Sequence, residues 1–159
     1  MIKLITQRIY RKGLTALERG DIDALLAAFD DSCTLTFVGD TSLGAKLSTP
    51  ASVRRWFERF GRLLPNVTFH IEQTVISGPL WNQRLAAHVT IRSTVDGEPY
   101  ENQFAHLLRL RWGKVVDDLI IEDSQRWERA CRRLVAAGVS EAGEPPMIDG
   151  RSTAGVGPR

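Results

Sequence analysis

The sequence predicts an α+β fold, with helices gathered on one side of a mostly antiparallel, strongly curved sheet. Three observations carry that expectation. Apolar residues recur at helical spacing as far as Leu64. After Pro65 the period of the pattern falls to two, the spacing of a half-buried strand. Asp96-Gly97 then separates two alternating runs as a tight hairpin turn does, and Gly113 divides the last pair.

With 159 residues, the chain has the length of one domain with a sizeable core. Hydrophobic content of 43% and charged content of 25% speak against global disorder. A net charge of +2 argues against nucleic acid as a partner. The arginines beside Trp56, and those at Arg126, Arg129, Arg132 and Arg133, are split between two helices and interleaved with Glu58 and Glu128. No apolar run reaches the ~18 residues of a membrane helix, and the opening MIKLITQRIYRKGL does not read as a secretory signal. Cys33 and Cys131 have no metal-ligand spacing, so reduced thiols, a cytoplasmic location and no metal are expected.

The elements follow in order. Ile2, Ile5, Ile9, Tyr10, Leu14 and Leu17 form one helical stripe, which Gly20 stops. Asp21 suits the N-cap of a short second helix burying Ile22, Leu25, Leu26 and Phe29, ended by Asp30-Asp31. Cys33 to Gly39 reads as a strand, and DTSLGAKLS as a turn. Thr49-Pro50 opens a helix with proline at its first position, where the missing N–H does no harm. Its buried face is Val53, Trp56, Phe57, Phe60, Leu63 and Leu64. Val67, Phe69, Ile71 and Val75 alternate along the next strand, and Leu85, Ala87, Val89 and Ile91 along its successor. Pro99 to Trp112 follows, then Val115 to Ile121. Ser124 can cap a last helix, with Trp127, Cys131, Leu134 and Val135 inward. Residues 138–159, rich in Gly, Pro and Ser, read as a flexible tail without a core, leaving 1–137 as the domain.

Within Pro99–Val115, alternation puts Tyr100, Asn102, Phe104, His106, Leu108 and Leu110 on one inward face. An amide and an imidazole among apolar residues are what a small-ligand site uses to fix orientation. If Trp112-Gly113 is a two-residue turn, Asp117 becomes the diagonal neighbour of His106; a one-residue bulge exchanges it for Asp118. Asn102 has Glu122 or Asp123 within reach. On the outward face, Arg92 meets Glu101, and His88, Thr90, Ala105 and Leu107 make a patch that needs cover, so a homodimer is expected.

ERGDIDALLAAFDDSCTLTFVG, VRRWFERF and DGEPYENQFAHLLRLRWGKV together resemble the nuclear transport factor 2-like superfamily. The similarity is greatest to its SnoaL-like branch of polyketide cyclases, ketosteroid isomerases and limonene epoxide hydrolases, and it spans roughly Ile2 to Val135. The resemblance implies a cone-shaped curved sheet wrapped around helices, enclosing an apolar pocket, often in dimers. It implies a small apolar ligand, no cofactor and no membrane partner. The pocket would be lined by Tyr10, Phe37, Trp56, Phe60, Tyr100, Phe104 and Ile120.

The chain departs from its relatives at their catalytic positions. Thr36 falls where isomerases carry a carboxylate base, and Gly13 where they carry a tyrosine, with Tyr10 a turn earlier. Ile120 falls at the aspartate of cyclases and hydrolases, and Arg92-Ser93-Thr94 keeps an arginine but lacks the following acid. The alignment, by turning Ile120 inward, favours Asp118 and Glu122 on the inner face. The expected chemistry is cofactor-independent proton transfer of the isomerase, cyclase or hydratase type on an apolar carbonyl compound. His106 would carry the proton, Asn102 would orient the substrate, and Asp117 or Asp118 would set the imidazole tautomer. The competing expectation is a ligand-binding or dimerisation module without chemistry.

Overall fold

The structure, a computed structural model, describes residues 2–149. Two helices, α1 (Ile2–Glu18) and α2 (Ile22–Leu26), precede β1 (Phe29–Phe37) and β2 (Ala45–Leu47). Helix α3 (Pro50–Leu63) leads into β3 (Thr68–Ser77), β4 (Gln83–Val95), β5 (Glu98–Arg111) and β6 (Lys114–Glu122). Helix α4 (Ser124–Ala136) and β7 (Met147–Ile148) complete the described chain. The sheet runs β3-β4-β5-β6-β1-β2-β7 without closing. β1 pairs parallel with β6 and β2 with β7, while the remaining pairs are antiparallel.

Local chemistry explains the boundaries. Asp21 accepts from the Ala24 N–H at 3.0 Å, and Thr49 caps α3 by accepting from the Ser52 N–H at 3.2 Å. Both central hairpins turn on two residues at positive φ, Asp96 (51°) with Gly97 (73°) and Trp112 (50°) with Gly113 (79°). Register follows: Val95 lies opposite Glu98, and Arg111 opposite Lys114. Along β5 burial alternates without a break, placing Tyr100, Asn102, Phe104, His106, Leu108 and Leu110 inside. Glu101, Arg109 and Arg111 point out, and Arg92 meets Glu101 at 2.6 Å.

Several boundaries differ from expectation. The second helix ends at Leu26, and Phe29 begins β1, because the Val115 N–H reaches back to the Ala28 carbonyl and draws this stretch into the sheet. The segment read as a turn contains β2, whose Ala45 and Leu47 are buried about exposed Lys46; three residues are too few to set up a period. Val75 faces solvent because a bulge at Glu72 reverses the alternation of β3 and turns Ile76 toward the core. Asp123, not Ser124, caps α4, accepting from the Gln125 and Arg126 N–H groups. Val135 lies on the exposed side of that helix.

The largest difference is at the C-terminus. Residues 140–143 form a 3-10 turn that buries Ala142, and β7 adds to β2. Arg59, mostly buried, bonds to the Ser42 carbonyl and pairs with Glu144. Asp149 accepts from the Ser52 hydroxyl at 2.8 Å and from the Ser48 backbone. With Glu141 paired to Arg62 at 2.6 Å, glycines and prolines here mark a strap tied down by three acidic side chains, not a coreless tail. The part of that expectation falling on 150–159 lies outside the described residues. No helix among the described residues is long and apolar enough to cross a membrane.

Candidate functional site

Between the concave face of the sheet and helices α1 and α3 lies a cavity of about 80 Å³. Trp56, Phe57 and Phe60 of α3, with Phe37 and Phe69, form one aromatic wall. Trp56 is fixed there by its indole N–H, which donates to the Leu43 carbonyl at 2.8 Å. The rest, including Phe29 and Phe104, is apolar apart from the side chains of Tyr10, His106, Asp118 and Glu122.

Three of these form a chain. α1 brings the Tyr10 hydroxyl to 2.9 Å from His106 Nδ1, and Asp118 Oδ1 lies 2.7 Å from His106 Nε2. The carboxylate holds a proton on Nε2, leaving Nδ1 to accept from the phenol. The direction of each hydrogen bond is thus fixed by chemistry. Burial first, and the charge of Asp118 second, push the Tyr10 pKa well above the usual phenol value, so Tyr10 stays the donor.

A bulge decides which aspartate takes part. Val116 is extra in β6, so Arg109 faces Asp117, Leu108 faces Asp118 and His106 faces Ile120. Asp118 therefore turns inward and is almost wholly buried. Asp117 lies on the outer face, where it accepts from the Thr34 hydroxyl at 2.5 Å.

Four residues beyond Asp118 and two beyond Ile120, Glu122 reaches the same inner face, opposite Phe104. Asn102 donates to Glu122 Oε2 at 3.2 Å, to the Tyr100 hydroxyl at 3.0 Å and to the Asp123 carbonyl at 3.0 Å. Glu122 Oε1 is shielded from solvent and has no hydrogen-bond partner among the described residues. Burial, with Asp123 adding to it and Asn102 opposing, pushes the Glu122 pKa up to about 8.

Of the residues expected at a site, Tyr10, Phe37, Trp56, Phe60, Phe104, His106, Asp118 and Ile120 come together around the cavity. Three do not. Asn102 is 1% exposed and sits behind Glu122, spending its amide on internal acceptors. Tyr100 packs edge-on against Trp127, away from the cavity. Asp117 faces outward. Glu122 was legible as a neighbour of Asn102 and, through the alignment, as an inner-face residue, but not as a group of the site. Its place two positions beyond Ile120 on one strand face is the signal for it. Among the described residues no cluster of His, Cys, Asp and Glu is placed to hold a metal ion.

The profile of the SnoaL-like domain matches residues 10–118. No curated protein sequence matches the chain. Among solved structures, PrhC from Penicillium brasilianum superposes with a TM-score of 0.71 at 20% identity, covering 89% of this chain and 98% of that one. BvnE pinacolase from Penicillium brevicompactum gives 0.72 at 16% identity, over 87% and 99%. TerC, co-crystallised with polyporic acid, gives 0.67 at 14% identity, over 79% and 97%. At these identities the structures establish a shared fold.

Proposed function

The chain belongs to the SnoaL-like domain family of the nuclear transport factor 2-like superfamily, and from that we propose a small-molecule pocket protein catalysing cofactor-independent proton transfer on an apolar carbonyl compound. The observation that carries this reading is the Tyr10–His106–Asp118 chain set in the wall of an otherwise apolar cavity. A proton leaving the substrate's α-carbon passes to the Tyr10 oxygen as the phenol hands its own proton to His106 Nδ1. The imidazolium forms beside Asp118, which stabilises it. An isomerase, a cyclase and a hydratase all need such a step.

The cavity limits the substrate. An engineered void of about 150 Å³ holds a benzene ring, so a cavity of about 80 Å³ admits one small ring only when aromatic side chains of α3 shift. Cyclohexanone in D₂O tests the chemistry, with loss of α-proton signals followed by NMR. Wild type should speed exchange, and Tyr10→Phe and His106→Gln should each lower it by about 10²–10⁴-fold. A wild-type rate equal to buffer contradicts the reading.

One observation favours the alternative, a binding module without chemistry: Nδ1 of His106 is already engaged by Tyr10. In that case cyclohexanone binds without exchange. Homodimerisation through the outer sheet face is supported by the partial exposure of Leu107 and Ile121 there, whereas Thr90 is covered by Glu72. A monomeric mass in light scattering at micromolar concentration would rule it out. The two buried, unpaired thiols support a cytoplasmic location.

A further inference from the structure

We propose that Glu122 is a second catalytic residue, a neutral carboxylic acid whose Oε1–H contacts the carbonyl oxygen of an enolisable ketone in the cavity. The inference rests on the reading above and adds to it the group that receives the developing negative charge.

Geometry places the proton. Oε2 accepts from Asn102, so the neutral acid carries its hydrogen on Oε1. Oε1 is the oxygen with no partner among the described residues, on a side chain that lines the cavity. A polar atom so placed costs stability unless something meets it. Charge on Glu122 is disfavoured by the apolar surroundings and by Asp123, which keeps the acid neutral below about pH 8. Phe104 faces Glu122 and His106 faces Ile120, so Glu122 and His106 are diagonal neighbours on one face. Such positions lie about 7–8 Å apart. Tyr10, hydrogen-bonded to His106, lines the same cavity as Glu122, so one small ketone can face both the phenol and the carboxylic acid.

The step balances. The α-proton goes to the Tyr10 oxygen and the phenol proton to His106 Nδ1, while the Glu122 proton moves to the ketone oxygen. The products are a neutral enol, an imidazolium beside Asp118 and a Glu122 carboxylate held by the Asn102 amide. Return of the proton to a different carbon of the conjugated enol gives an isomer. A ketone with an enolisable position, or a 1,3-dicarbonyl, is the substrate class this pair fits. Asn102 is then a positioning residue for Glu122.

Infrared difference spectra of wild type against Glu122→Gln test the protonation state without any reaction. A carboxylic-acid C=O band that titrates away near pH 8 and shifts when cyclohexanone is added is expected. Carbon-13 glutamate NMR on the wild type reads the same titration should the variant fail to fold. In the D₂O exchange assay, Glu122→Leu should lose about 10²-fold or more, with Glu122→Gln between it and wild type because its amide still donates. A missing acid band, or a band unmoved by bound cyclohexanone, overturns the proposal. So does full exchange in Glu122→Leu alongside losses in Tyr10→Phe and His106→Gln, which leaves the broader reading standing. Absence of exchange in the wild type defeats both.

Discussion

At the scale of single residues, buried polar groups here are costly to break and cheap to remove together. His106→Leu leaves the Asp118 carboxylate buried without its partner, which costs about 3–5 kcal/mol. Replacing His106 and Asp118 together by leucine, with Tyr10→Phe so that the phenol is not left unpaired, removes the whole chain of hydrogen bonds and should cost far less, under about 1.5 kcal/mol. Urea titrations of the two variants check the contrast. Glu122 gives stability a pH signature of its own. Its acid holds a proton in the folded state up to about pH 8, whereas the unfolded chain releases it near 4.5. Between those values the folded state binds more protons, so stability from this group is full below 4.5 and is lost as pH rises through 8. Glu122→Gln should therefore gain on wild type across that window, by on the order of 5 kcal/mol in all. Parallel melts at the two ends measure it, and equal gaps at both ends contradict it.

At the scale of elements, alternation and turn chemistry were legible because each repeats over many residues. The two-residue hairpins and the inward face of β5 needed only the period and a glycine. Bulges were not legible from the period, since one extra residue leaves no periodic trace; the one in β6 stood as an open alternative that only the family alignment favoured. Glu72 in β3 and Val116 in β6 reversed the faces beyond them, which turned Val75 outward and made Asp118, not Asp117, the partner of His106. The cap of α4 slipped by one residue for a related reason: Asp123 and Ser124 are both good caps, and only backbone geometry selects Asp123. Asp123→Ala should cost about 0.5–2 kcal/mol, read as a lower denaturation midpoint at unchanged slope. Ser124→Ala should change stability by no more than ~0.5 kcal/mol.

At the scale of the whole molecule, the strap over residues 140–149 joins the C-terminal end to α3. Composition hid it, because its few contacts are made by charged residues a long way apart in sequence. If the chain ended at residue 138, Arg59 would lose Glu141 and Glu144, β2 would lose β7 and Ser52 would lose Asp149. Such a chain should be less stable than one ending at residue 149 by at least about 1.5–3 kcal/mol, the worth of a hydrogen bond to a charged group. Matching urea midpoints for the two would show that the strap adds nothing. The fold as a whole was legible because the family pattern and the periodicity agree. The site was legible only in part, because the polar wall depends on strand register.

The open sheet has one more consequence, for colloidal behaviour. β3 is a ten-residue outer strand with hydrogen-bond partners on the β4 side only. Such a rim is a template on which further copies can add strand to strand. Here the Glu72 bulge kinks it, Glu18 occupies the Phe69 N–H at 2.7 Å, and His70 and Glu72 add charge. Deleting Glu72 would keep the pairings on either side, Ile71 with Val89 and Gln73 with His88, and straighten the rim. Samples carrying that deletion should elongate into thioflavin-binding fibrils on storage sooner than the wild type.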